Sequence, residues 1–424
     1  MSGLRFCYLT TFYPPYSFGG DAIGIQRFAR GLVRRGHRVT VVHDVDAFNV
    51  LNPGPEPSAV SDEDEGVEVV RLRSTLRGLS PLLTQQTGRP LANGRRIREI
   101  LGDGRFEVVN FHNISLLGGP GLLRLGGDAV TLYMAHEHWL VCPTHVLWRH
   151  GRELCTGREC LRCTMRQGKP PQLWRYTGYL EREIKRVDAV IAMSEFSRLK
   201  HHEFGFPREM EVLPHFLPDP ETRTQPVPEG APPHPRPYFF FAGRLEYIKG
   251  VDALIVAFRS YPGADLLIAG DGEYAARLRD LAAGMPNVSF LGPLAPAALR
   301  RYYRHAIATL VPSRGFETFG LVLIEALREG TPVIARRLGP FPEIVDQSGG
   351  GELFETDEEL LAAMRRMQGD VAYRARLAAC GYRAYVENWS ESVVLPRYLD
   401  IVRRAAHRRG HHHVVETLDA AEAA

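Results

Sequence analysis

The stretch from Ser313 to Glu325, S-R-G-F-E-T-F-G-L-V-L-I-E, restricts the possible folds of this chain more than any other. Residues 306–312 (AIATLVP) before it form an apolar run of strand length, and from Leu321 to Arg328 apolar residues recur at helical spacing. A strand that passes through a tight glycine-containing turn into a helix is half of an α/β unit. The turn leaves Glu317 outside the helix and Glu325 inside it. The N–H groups of Phe319, Gly320 and Leu321 then open on one mouth, where unsatisfied donors and the helix dipole favour an anion. Carboxylates accept hydrogen bonds from hydroxyls, and amides donate to phosphate. The stretch therefore suits a ligand with phosphate at one end and sugar rings at the other. Taken alone, it equally suits a capped surface helix with two solvated glutamates.

The same alternation of strand, glycine turn and helix runs along the whole chain. At 424 residues the chain is long enough for two domains of roughly 200 residues each. Residues 5–10 predict a strand, followed by the loop T-F-Y-P-P-Y-S-F-G-G, a helix from about Asp21 to Gly36 and a second strand, H-R-V-T-V-V. Gly19 and Gly20 would let backbone approach a diphosphate at that helix start, although Gly-Gly also serves ordinary tight turns. The strand over 106–113 ends in His112 and Asn113, at the end where open parallel sheets carry ligand contacts. His112 reads equally well as a structural histidine. A further strand, AVTLYMAHEHW, runs into His136 and Glu137, and residues 172–186 predict a helix. Proline-dense residues 214–237 mark a linker between a first domain, 1–213, and a second, 238–388. Residues 389–424 hold a last helix and a polar, alanine-rich tail expected to fray.

The second domain opens on P-Y-F-F-F-A-G-R-L, a fully apolar strand that delivers Arg244, with Lys249 five residues on. The guanidinium can grip phosphate oxygens bidentately and the lysine adds a compact charge. Only Lys169, Lys185, Lys200 and Lys249 are lysine in a chain otherwise using arginine, which makes Lys249 more informative. The strand V-S-F-L-G-P-L then places Gly292 at its end.

Together, G-F-E-x-F-G-L-x-x-x-E-A around Glu317 and Glu325 and F-x-G-R-L-x-x-x-K-G around Arg244 and Lys249 resemble the pattern of family 4 retaining glycosyltransferases of the GT-B fold. The resemblance extends along nearly the whole chain. It implies two Rossmann-like domains facing across a cleft, with the C-terminal helix returning to the first. It implies a nucleoside-diphosphate sugar donor, a hydroxyl acceptor, retention of anomeric configuration and no catalytic metal. Arg244 and Lys249 would then neutralise the leaving diphosphate. Glu317 would position the donor sugar, Glu325 the ribose, Gly292 the base edge, and Gly19 and Gly20 would line the same cleft. His136 would contact the reacting sugar or orient the acceptor; Glu137 stands where the family commonly has aspartate. A sugar phosphorylase or nucleotide-sugar hydrolase on the same scaffold is the alternative enzyme. The set Arg244, Lys249, Glu317 and Glu325 speaks against a silent binding module.

Four of the six cysteines, Cys142, Cys155, Cys160 and Cys163, fall in one short window, ending in a C-x-x-C knuckle suited to tetrahedral thiolate coordination. A structural zinc is the first reading, an iron–sulfur cluster the second, four reduced thiols the third; His138, His145 and His150 are substitute ligands. A formal charge of +3 gives no case for nucleic-acid binding. No run approaches the ~20 apolar residues of a membrane span, and the N-terminus lacks a basic segment followed by an apolar one. A cytoplasmic protein is expected. Basic residues near Arg95 and Arg98 would provide peripheral membrane contact if the acceptor is lipid-linked.

Overall fold

The computed structural model describes residues 3–52, 54–58, 60–220 and 231–422. They form two compact units: unit 1 comprises Met1–Pro214 and Val394–Ala424, and unit 2 comprises His215–Val393.

Unit 1 is built on an eight-stranded sheet. Its strands are β1 (Arg5–Leu9), β2 (Arg38–Asp44), β3 (Glu63–Asp64), β4 (Val67–Leu72), β5 (Val108–Phe111), β6 (Val130–Ala135), β9 (Ala189–Ala192) and β10 (Glu211–Val212); a separate hairpin, β7 (Trp148–Arg149) with β8 (Glu153–Leu154), lies between β6 and β9 in sequence. The spatial order is β10-β9-β6-β5-β1-β2-β4-β3 and every pairing is parallel except β3 with β4. Strands covered on both faces need continuous apolar runs, and β5, β6 and β9 are buried at every residue. The order reverses between β1 and β5. Such a switch point is where open α/β sheets leave a crevice beyond their carboxyl ends. Here it is framed by Thr11, whose N–H donates to Asn113 O at 2.5 Å, and by His112, whose N–H donates to Leu9 O at 2.9 Å.

The long helix Glu391–Arg409 supplies unit 1 from the far end of the chain, as expected. Tyr398 is fully buried beneath the sheet, accepts from Asn110 Nδ2 at 3.1 Å and packs on Phe28 with ring centroids 5.5 Å apart. The tail beyond it is a correction to the sequence reading. Rather than fraying, His412–Glu422 is a helix that buries Val414 and Leu418, four residues apart on one face, and Arg403 pairs with Asp419 at 3.3 Å. A second correction concerns 172–186. The turn Leu173–Tyr176 and the helix Tyr179–Ile184 are separate because Gly178 takes φ +66° between them.

Unit 2 holds β11 (Tyr238–Ala242), β12 (Asp265–Ala269), β13 (Val288–Gly292), β14 (Thr309–Val311), β15 (Val333–Arg336) and β16 (Gly351–Phe354) in the all-parallel order β13-β12-β11-β14-β15-β16. This is the dinucleotide-fold order, with its switch point between β11 and β14. Phe239, Phe241, Leu254, Phe258, Ile268 and Met364 belong to the core beneath it. Part of the expected linker, 221–230, lies outside the described residues. The segment before it is packed: Phe216 and Leu217 are buried, and Tyr385 Oη donates to Pro218 O at 2.6 Å.

Candidate functional site

At the switch point of unit 2, three loops are knitted together through their backbones. Leu245 N–H donates to Asp271 O at 2.9 Å and Arg314 N–H to Ile248 O at 2.8 Å. Glycine permits this closeness. Gly250 takes φ +72°, and a Cβ there would stand 2.3 Å from Pro312 O; one on Gly270, at φ +131°, would stand 1.9 Å from Gly243 O.

The loops after β11 and β14 bring Lys249 and Glu317 into contact. Lys249 Nζ donates to Glu317 Oε1 at 2.7 Å, and Ser313 Oγ donates to the same oxygen at 2.9 Å. Burial pushes the Glu317 carboxyl up, but the Lys249 charge and hydrogen bond, Ser313 and the more distant Arg244 outweigh it and hold the carboxyl below its ordinary range. Glu317 and Lys249 each keep 23% of their side-chain exposure, so a ligand can reach them. Arg244 is 53% exposed and pairs with Glu246 at 2.7 Å. Eight residues after Glu317, Glu325 lies on the helix Leu321–Arg328 and accepts from Tyr303 Oη at 3.3 Å. That helix starts at Gly320, in the left-handed region at φ +117°, without a side-chain cap. Among the described residues, the N–H groups of Phe319, Gly320 and Leu321 have no backbone acceptor. Phe319 is buried against His215, ring centroids 5.8 Å apart. Gly292 O accepts from Gly270 N–H at 2.8 Å, so the end of β13 borders the β12 loop.

Two polar partners escaped the sequence reading. Ser313 sits at the exit of β14 four residues before Glu317, a spacing that carries no signal unless the turn geometry is known. Glu246, two residues after Arg244, is a carboxylate that a phosphate ligand would have to replace.

In unit 1, His136 follows β6 and is buried, with Nε2 2.8 Å from His112 Nδ1 and the rings stacked 5.1 Å apart. Burial lowers its pKa to about 4 while the nearby Asp21 charge opposes the shift, so the imidazole is neutral at pH 7. Asp21 is in the first turn of the helix Gly20–Arg34, whose N-cap is Gly19. Gly19 is extended at φ −162°, so its backbone does not demand glycine. Asn113 Oδ1 accepts from Ser115 Oγ. Glu137 is turned toward the following insertion, 2.7 Å from His145 Nδ1.

That insertion carries the four cysteines, all as free thiols. Burial raises the thiols of Cys155 and Cys160, with neighbouring thiols adding to it: Cys142 and Cys163 for the first, Cys142 and Cys155 for the second. The three histidines proposed as substitute ligands are engaged elsewhere: His138 stacks on His201 with centroids 5.3 Å apart, His145 meets Glu137, and His150 meets Glu159 at 3.2 Å. Among the described residues, no three His, Cys, Asp or Glu side chains converge closely enough to hold a metal ion as they stand. Beside the thiols is a cavity of about 130 Å³, lined among others by Leu140, Arg158, Cys160, Gln172, Arg175 and Tyr176. Arg95 lies on the helix Gly94–Gly104 and donates to Glu99, while Arg98 donates to Gly94 O. Among the described residues, no helix is long and apolar enough to cross a membrane.

The family model for glycosyltransferase family 4 matches residues 18–219, and that for glycosyl transferases group 1 matches residues 223–384. The chain belongs to the group 1, family 4 type of glycosyltransferases. This glycosyltransferase is 26% identical over 421 residues to a D-inositol 3-phosphate glycosyltransferase of Xylanimonas cellulosilytica, covering 92% of this chain and 93% of that one. Its fold matches sucrose-phosphate synthase from Thermosynechococcus elongatus with a TM-score of 0.71 at 17% identity, over 95% of this chain and 98% of the other. It also matches Anabaena Alr3699/HepE in complex with UDP-glucose, with a TM-score of 0.63 at 16% identity, over 96% and 100%. The glycosyltransferase is thus a GT-B protein with two Rossmann-like units, and an enzyme of the hexosyltransferase class.

Proposed function

We propose that the enzyme moves a hexosyl group from a nucleoside-diphosphate sugar, gripped by unit 2, to an acceptor hydroxyl, with retention and without a catalytic metal. The observation that carries this reading is the Lys249–Glu317–Ser313 contact at the switch point, next to an uncapped helix start. It sets a cation and free N–H donors beside a carboxylate, the combination that a sugar pyrophosphate needs. The solved UDP-glucose complex of a protein with this fold supports that donor class.

In the reaction, the bond from the anomeric carbon to the diphosphate oxygen breaks and a bond to the acceptor oxygen forms. The acceptor proton passes to a donor phosphate oxygen on the same face, and the nucleoside diphosphate leaves. Arg244 and Lys249 stabilise the charge that grows on the departing diphosphate, together with the N–H groups of Phe319, Gly320 and Leu321. Arg244 leaves Glu246 to do so. Glu317 accepts from the donor sugar's hydroxyls, Glu325 from the ribose, and the backbone at Gly292 reads the base. His136 is neutral and paired with His112, and it exchanges a present hydrogen bond for one to the sugar or the acceptor.

Replacing Arg244 with alanine should weaken nucleoside-diphosphate binding about 10- to 100-fold, the worth of one charge-assisted contact. Isothermal titration calorimetry checks this directly. Unchanged affinity would remove Arg244 from the donor site.

A further inference from the structure

The insertion between β6 and β9 takes no part in the chemistry above, yet its middle is folded with almost nothing inside it. From Trp148 to Arg162 no residue is buried. The hairpin of β7 and β8 has two residues per strand, and the helix Cys160–Arg166 has seven in all. Elements this short are not stable on their own hydrogen bonds, and a segment without a core needs a cross-link. Its backbone is also held in an unfavourable form: His145, Leu147 and His150 take φ of +74°, +48° and +54°, the left-handed region that non-glycine residues avoid.

We propose that Cys142, Cys155, Cys160 and Cys163 bind one zinc ion as a closed tetrathiolate that staples this insertion. Each half of the site has its own element. Cys142 follows the turn His138–Leu140 and Cys155 follows β8 directly, while Cys160 and Cys163 occupy the first turn of the short helix. Two donors already point at one sulfur: His150 N–H and Gln167 Nε2 each lie 3.2 Å from Cys163 Sγ. N–H groups aimed at a cysteine sulfur are the outer partners that thiolate–metal sites use. The other sulfurs make weak local contacts that a metal would replace, Cys142 with Thr144 Oγ1 at 3.3 Å and Cys155 with Gly157 O at 3.2 Å. Binding the metal would require the four sulfurs to turn toward one another.

Charge favours the same assignment. Four thiolates around Zn²⁺ leave a net charge of about −2. Arg158 and Arg175 line the cavity next to Cys160. The guanidinium of Arg175 lies between Trp139 and Trp174, at 5.1 and 4.7 Å from their ring centroids, and donates to Trp139 O at 2.8 Å. Among the described residues, no carboxylate lies within ion-pair distance of it. A tetrathiolate supplies the negative charge this cation lacks. The metal would fix the wall of the cavity that Cys160 helps to line.

Elemental analysis of the full-length protein, prepared without a His tag, tests the proposal. About one zinc per chain is expected, with four thiols protected from a thiol reagent until a chelator is added. Joint replacement Cys160→Ser and Cys163→Ser should abolish zinc binding, and Cys380→Ala should leave it intact. Less than roughly a tenth of an equivalent, with the four thiols reacting freely, would overturn the assignment. So would the visible absorption of an iron–sulfur cluster in anaerobically prepared protein, or full zinc content in the double variant. Should that variant fail to fold, the metal content and thiol protection of the unaltered protein decide the matter.

Discussion

Glu317→Gln should lower kcat about 100- to 1,000-fold while leaving the fold and nucleoside-diphosphate affinity nearly unchanged. The amide keeps the side chain's shape, so Ser313 can still donate to Oε1. It loses the charge that Lys249 now meets at 2.7 Å, and it turns an acceptor for sugar hydroxyls into a donor. A loss of that size is about 2.7–4.1 kcal/mol, within the range of one to two charge-assisted bonds at roughly 1.5–3 kcal/mol each. Affinity for the diphosphate rests on Arg244, Lys249 and the helix-start amides, so calorimetry should show only a small change. The defect should not be repaired by altering pH. The carboxyl is held below its ordinary range, so its contribution to stability is complete above the unfolded value of 4.5 and is lost only as pH falls through the lower folded value. A kcat within a factor of about three of the unaltered enzyme would take Glu317 out of the mechanism.

Acid should destabilise unit 1 well before ordinary carboxylates are protonated. Burial lowers His37, His136 and His201 to about 4 and His43 to about 3, and it holds His138 well below its ordinary value. All five lie in unit 1. Each is neutral when folded and takes up a proton near pH 6.5 when unfolded. The unfolded chain therefore binds more protons between pH 6.5 and the folded values, and stability falls as pH falls through that window. At pH 5 His37, His43, His136 and His201 each withhold about 2 kcal/mol. Asp44 works in the opposite sense: burial raises its carboxyl to about 7, so protonation favours the folded form below that pH and offsets about one histidine. The balance remains several kcal/mol of destabilisation, a large part of a typical domain's ~5–15 kcal/mol. Thermal melts followed by tryptophan fluorescence suit the test, since Trp139, Trp148 and Trp174 are in unit 1 and only Trp389 is in unit 2. The transition should fall steeply between pH 7 and 5, and His43→Leu should flatten the slope by about one proton. A transition temperature constant over that range would contradict the burial of neutral histidines.

Much of this was legible in the chain because buried parallel strands need uninterrupted apolar runs. Tyr238–Ala242 and Val130–Ala135 announce themselves in that way, and Gly243 after the first marks where loops close on one another. Glu317 and Lys249, 68 residues apart, were both singled out, but their contact follows from strand order, which local spacing does not encode. The pairing of His112 with His136 was hidden for the same reason, since it depends on β5 and β6 being neighbours. Two errors were of a different kind. The run 172–186 has helical composition, and only the left-handed Gly178 breaks it. In the tail, Val414 and Leu418 sit four apart amid polar residues, a pattern too sparse to outweigh the composition around it.

A crystal structure of the enzyme with a bound nucleoside-diphosphate sugar tests the central claim most directly. The pyrophosphate should lie at the switch point of unit 2, within hydrogen-bond distance of the Leu321 N–H and of Arg244 or Lys249, with a sugar hydroxyl on Glu317. A pyrophosphate bound elsewhere, with those side chains left in solvent, would contradict it.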